Sequence, residues 1–103
     1  MPRAVQRNAA RRDFIIHYAY LLEQAGWTTA QRFREAIERT YLELADMPGM
    51  GAPGKIRHGK HTGVRLWRVH DFEEYIIAYR PHRVGVAIER LVHAKQDYQR
   101  VLK

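Results

Sequence analysis

The chain contains no cysteine and no serine. The first absence excludes disulfides and thiolate chemistry and suits a reducing compartment, expected here to be the cytoplasm. The second removes every serine nucleophile. Long apolar runs are also missing: Asp13, His17 and Glu23 interrupt the stretch around Phe14–Leu22, so neither a secretion signal nor a membrane span is expected. Carboxylates are scarce, eleven against eighteen lysines and arginines, and none lies between Met47 and His70. The resulting formal charge of +7 favours an acidic or polyanionic partner through long-range attraction. Charge alone does not separate RNA, DNA, an acidic protein or an anionic membrane, and a basic surface with no specific partner is the plain alternative.

What is present fits one compact domain over residues 1–103, with 46% hydrophobic residues and no repeat, linker or low-complexity tract. A domain of this length buries roughly two-thirds of its unfolded surface, enough to fold alone with modest reserve. Phe14, Tyr18, Leu21, Leu22 and Ala25 recur at helical spacing over Arg11–Ala25, with Gly26 as the stop. A second helix is expected from Thr28 or Thr29, where Thr28 and Gln31 have the spacing of a capping box. Its buried stripe is Phe33, Ile37, Thr40, Tyr41 and Leu44, and Pro48-Gly49 ends it. Two antiparallel helices joined by a very short loop follow.

Five of the seven glycines and two of the four prolines fall between Met47 and Gly63, which reads as a loop. Three β-type runs come next, Val64–His70, Tyr75–Arg80 and Val84–Val92, with turns at Asp71–Glu73 and Pro81–Arg83. In the last run the alternation puts Val84, Val86 and Ile88 on one face and Glu89 and Leu91 on the other. A strand near Arg3–Gln6 has only a weak signal, and Gln96–Leu102 suits a last helical turn packing Tyr98 with Val101 or Leu102. The expected fold is α+β: an antiparallel helical hairpin on one face of a three- to four-stranded antiparallel sheet, with a short C-terminal helical tail.

The loop and the strand after it carry Lys55, Arg57, Lys60, Arg65 and Arg68 with His58, His61 and His70, a pattern suited to phosphate contact. Trp67 beside it offers either a base-stacking surface or a core side chain, and large aromatics are more often core. His58 and His61 have no carboxylate near them in sequence, and neighbouring cations repel a metal ion, so no metal site is expected. The glycines of Gly49–Gly54 are not followed by the Lys-Ser/Thr that opens a nucleotide-binding helix. Glu73 and Glu74 point to opposite sides of a strand and make a poor acid–base pair. His93, beside Arg90, Lys95 and in prospect Arg80, is the best single acid–base candidate; the alternative is a structural ring tied to the tail through Asp97.

Six segments in order, Ala9–Tyr18, Ala30–Arg34, Leu44–Gly51, Gly63–Arg65, Tyr75–Pro81 and Ile88–Asp97, resemble the ParE branch of the ParE/RelE toxins across roughly Val5 to Leu102. RelE-like ribonucleases typically carry an arginine after the tyrosine that opens the penultimate strand; here Ile76 follows Tyr75. The resemblance implies the toxin of a type II toxin–antitoxin pair, a DNA gyrase poison without chemistry of its own, silenced by an acidic ParD-like antitoxin. It implies no cofactor, no metal and no membrane partner. Lys55, Arg57, Lys60, Arg65, Arg80 and His93 are then candidate contacts to gyrase, DNA or RNA, and Phe14, Tyr18, Leu22 and Trp67 candidate antitoxin-facing residues. Arg65 has an alternative as an ion-pair partner of Glu73 or Asp97. The alternatives in function are a RelE-like mRNA endoribonuclease using His93, Lys95 and Tyr98, or a non-toxic binding module of the same fold.

Overall fold

The computed structural model describes residues 1–103. Two helices, α1 (Asn8–Ala25) and α2 (Trp27–Asp46), pack on a sheet formed by β1 (Arg3–Gln6), β2 (Ala52–Pro53), β3 (Arg65–Val69), β4 (Phe72–His82) and β5 (Gly85–His93), and a short helix α3 (Tyr98–Val101) closes the chain. The sheet has five strands in the order β1-β5-β4-β3-β2, antiparallel except for β1, which runs parallel to β5. The α+β expectation holds, with two additions. β1 forms from the weak Arg3–Gln6 signal, and two residues inside the glycine-rich loop pair as β2, where no strand was expected.

Gly26 ends α1 and also stands at the N-cap of α2, so the hairpin turns on one residue. α2 therefore begins at Trp27, before Thr28, and no side chain caps it. The capping-box expectation fails because the Gly26 carbonyl already starts the helix by accepting from Ala30 N at 3.1 Å. Gln31 instead accepts a hydrogen bond from the Tyr18 hydroxyl at 2.8 Å. The predicted α2 stripe is buried in full, Phe33, Ile37, Thr40, Tyr41 and Leu44. Fully burying an aromatic such as Phe33 stabilises by roughly 1.5–3 kcal/mol.

The hairpin between β4 and β5 is longer than the sequence suggested. Pro81 lies inside β4 and pairs with Val86. β3 pairs with β4 no further than Tyr79, so the missing N–H of Pro81 faces no β3 partner. Gly85 follows the turn with φ +144°, and a Cβ there would sit 2.2 Å from the Arg3 carbonyl oxygen. Only glycine lets β1 approach this closely.

A bulge corrects the alternation read from β5. Ala78 pairs with Arg90 and Tyr79 with Ile88, which leaves Glu89 unpaired. The extra residue returns Leu91 to the same face as Val86 and Ile88, and all three join the core under the helices. The opposite face of the sheet carries a second cluster, Ile56, Val64, Ala78, Val92 and Leu102. Helices thus cover one face, while the loop and the tail cover the other.

β1 reaches only as far as Ile88 along β5, and side chains of α1 satisfy the edge beyond it. Asp13 Oδ2 accepts from Leu91 N at 2.9 Å, and His17 Nε2 donates to the Leu91 carbonyl at 3.0 Å. Asp13 and His17, one turn apart on α1, take the place of the next residue of a strand.

Candidate functional site

The basic loop is fixed from below. Gly54 N donates to the Val64 carbonyl at 2.9 Å, and Ile56 and the nearly inaccessible His61 point inward. Arg80 reaches up from β4 and donates to the Thr62 and Lys60 carbonyls, each at 2.7 Å. Arg65 donates to the Gly51 carbonyl at 2.6 Å, and the alternative of an ion pair with Glu73 or Asp97 does not form. The loop folds directly over these strands and leaves backbone acceptors that both arginines satisfy, Arg80 doing so while its Nε stays near Glu89. Arg65 and Arg80 therefore brace the loop, while Lys55, Arg57 and Lys60 are exposed and take part in no ion pair.

Glu89, displaced by the bulge, sits among Arg7 Nε at 3.5 Å, His61 Nδ1 at 3.3 Å and Arg80 Nε at 3.8 Å. Burial lowers the His61 pKa, and the Glu89 carboxylate opposes that shift. The bulge thus places one carboxylate beneath a cationic loop that contains none of its own.

His93 lies at the far end of the sheet from Arg80. Arg80 pairs with Ala87 and His93 with Tyr75, five residues away along β4, so the two are roughly 17 Å apart along the strands at about 3.3 Å per residue. The His93 ring stands edge-on to Tyr75 (centroids 4.9 Å apart, planes at 89°), and Tyr75 meets His17 in the same way at 5.0 Å. His93 Nδ1 accepts from Lys95 N at 3.0 Å. Asp97 does not hold the ring; it accepts from Arg100 N and caps α3. His93 is thus on the helix-covered face, whereas Tyr98 packs against the second cluster on the other face. The fold does not bring His93, Lys95 and Tyr98 together around a common point.

The side chains expected to face an antitoxin divide in the same manner. Phe14 stacks on Phe33 at 5.8 Å with planes 5° apart, and both Phe14 and Trp67 pack against the main core. Tyr18 is half-buried through its bond to Gln31, and only Leu22 is exposed. The exposed large apolar side chains of the helical layer are instead Ile15, Ile16, Tyr20, Leu22, Trp27 and Leu42. Ile15, Ile16 and Tyr20 lie off the α1 stripe and Trp27 and Leu42 lie on α2; apolar residues outside the two expected buried stripes were the available signal.

The model of the family described as the ParE toxin of type II toxin–antitoxin system, parDE, matches residues 5–98. The chain belongs to the ParE toxin family. The structure is similar to one from the chromosomal ParDE toxin–antitoxin system of P. aeruginosa, with a TM-score of 0.70 and 18% identity over 90% of this chain and 96% of that one. At that identity the likeness speaks for the fold. The comparison with curated proteins found no match. Membership in the ParE family makes this chain the toxin half of a pair, with an antitoxin as partner. No helix of this ParE is long and apolar enough to cross a membrane.

Proposed function

We propose that this ParE-family toxin poisons DNA gyrase by binding, without chemistry of its own, and that an acidic ParD-like antitoxin silences it by covering the helical layer. The observation that supports this reading most is the division of the surface. Exposed large apolar side chains lie on α1 and α2, beside the cations Arg11, Arg12 and Arg32, whereas the loop over the other face of the sheet carries the exposed cations Lys55, Arg57 and Lys60 and no carboxylate. An antitoxin that buries the first group gains apolar contact, and its acidic residues answer the net charge of +7. Lys55, Arg57 and Lys60 then serve as contacts to gyrase or its DNA. Arg65 and Arg80 act indirectly by holding the loop, and His93 shapes the strand end. The separation of His93 from Tyr98 favours recognition over ribonuclease chemistry.

The test is a plasmid reaction with purified gyrase, ATP and this protein, denatured and scored for protein-linked cleaved DNA. Cleaved product that needs both proteins is the expected result, reduced at least tenfold in Lys55→Ala/Arg57→Ala/Lys60→Ala. Intact plasmid from folded protein that is toxic in cells, together with RNA cutting abolished by His93→Ala, would replace gyrase poisoning with ribonuclease activity.

A further inference from the structure

On the sheet face opposite the helices, the basic loop and the C-terminal tail leave a cleft of about 770 Å3 between them. Lys55, Arg57 and His58 line one wall, and Arg100 and Lys103 line the other. None of these side chains takes part in any ion pair of the molecule. The one acidic side chain in the lining, Asp97, accepts from the Arg100 backbone N–H at 3.4 Å. Four permanent cations thus face a shared space whose lining has one acidic side chain, Asp97.

Both walls are anchored, so the fold sets the spacing of the cations. Ile56 of the loop and Leu102 of the tail are buried in the same apolar cluster. Above it the two walls touch: at Gly59, with φ +90°, a Cβ would lie 2.3 Å from the Lys103 carbonyl carbon. A preformed array of this kind binds without first having to order a loop.

We propose that this cleft binds the phosphodiester backbone of a nucleic acid without reading its sequence. The inference deepens the gyrase reading, in which Lys55 and Arg57 contact gyrase or its DNA, by adding Arg100 and Lys103 of the tail and a ligand bound without gyrase. Cations on two walls suit successive phosphates along a strand better than one isolated anion. Ile56 is the one hydrophobic residue of the lining and is turned into the core. No Phe, Tyr or Trp lines the cleft, and His58 is its one aromatic ring, so the four cations make backbone charge its main recognition element.

The test omits gyrase, so that its failure leaves the gyrase reading intact. Fluorescence anisotropy would follow the full-length protein binding two short DNA duplexes of unrelated sequence, a single-stranded DNA and an RNA duplex, from about 50 to about 200 mM salt. Equal affinity for the two duplexes is expected, with log K falling against log salt at a slope of about −3 to −4 on DNA, as four phosphate contacts require. Arg57→Glu/Arg100→Glu should weaken binding at least tenfold and flatten the slope by about 2. Arg11→Glu/Arg12→Glu on α1 changes the net charge equally and should leave the slope unchanged. Binding confined to RNA would keep the site and name RNA as the source of the backbone. Three results overturn the proposal: a slope near zero, binding of inorganic phosphate but no polymer, or equal loss in both pairs of variants, which would reduce the effect to net charge.

Discussion

Asp13 engages three donors with its two carboxylate oxygens: Arg90 Nε at 2.6 Å, Arg90 Nη2 at 3.0 Å and the Leu91 N–H at 2.9 Å. Arg90 adds a bond to the Val101 carbonyl at 3.3 Å, so a single cation links α1, β5 and α3. The carboxylate hydrogen bond raises the Arg90 pKa further and holds the guanidinium charged. Removing the carboxylate strands a half-buried cation and a backbone donor together. Asp13→Ala is therefore expected to lose about 2–4 kcal/mol, read from urea unfolding, with Asp13→Asn losing less. A loss under about 0.5 kcal/mol would mean that water replaces the carboxylate. His17, one turn on, carries a pH dependence. Burial lowers its pKa below 6.5, and the Leu91 hydrogen bond only partly offsets this. The unfolded chain then takes up the proton first, so stability is full above about pH 6.5 and declines as pH falls toward the folded-state pKa. His61, also lowered by burial, acts in the same direction. Urea midpoints measured on either side of that pH should fall on acidification, and His17→Gln, which keeps a donor for Leu91, should flatten the fall.

Among the elements, β1 depends most on a single position. Gly85→Val places a branched side chain where the Arg3 backbone passes, and it also strains a φ of +144°. β1 should detach while α1 and α2 remain, seen by hydrogen exchange as lost protection of the Arg3 and Arg7 amides, which bond to Val84 and Ile88. Unchanged protection there would show that β1 accommodates the side chain. The helical hairpin, its turn at Gly26, the β3–β5 meander and the tail helix were all legible in the sequence, because each rests on local periodicity or a glycine stop. β1 was legible only faintly, as the weak signal at Arg3–Gln6, and the Glu89 bulge was not. β1 is four residues whose partner lies at the other end of the chain, and a bulge leaves no mark in an alternating pattern except that Leu91 reads as facing the wrong way. The site was half legible: Lys55, Arg57 and Lys60 stand free as their charge suggested, whereas Arg65 and Arg80 bind carbonyls whose positions no linear pattern encodes.

For the whole molecule, the two faces of the sheet carry different surfaces and should be separable by mutation. Ile16 and Tyr20 are exposed on α1, on the helical layer and away from the loop. Ile16→Glu/Tyr20→Glu is expected to weaken capture of a ParD-like antitoxin at least tenfold, while the DNA cleavage by gyrase that the free toxin provokes stays within twofold. Parallel loss of both activities would show that one surface serves both partners.

The pairing of β1 with β5 also bears on the order in which the protein is made. Arg3–Gln6 leaves the ribosome about eighty residues before its hydrogen-bonding partner Gly85–Ile88. α1 waits for the same strand, since Asp13 and His17 find their acceptor and donors on Arg90 and Leu91. Contacts of such long sequence separation form late. A nascent or prematurely terminated chain lacking β5 therefore has an unpaired first strand, an open helical core and no floor beneath the basic loop. The sheet is complete only once β5 has been made, so a chain that stops short of His93 cannot hold the basic loop in its final shape.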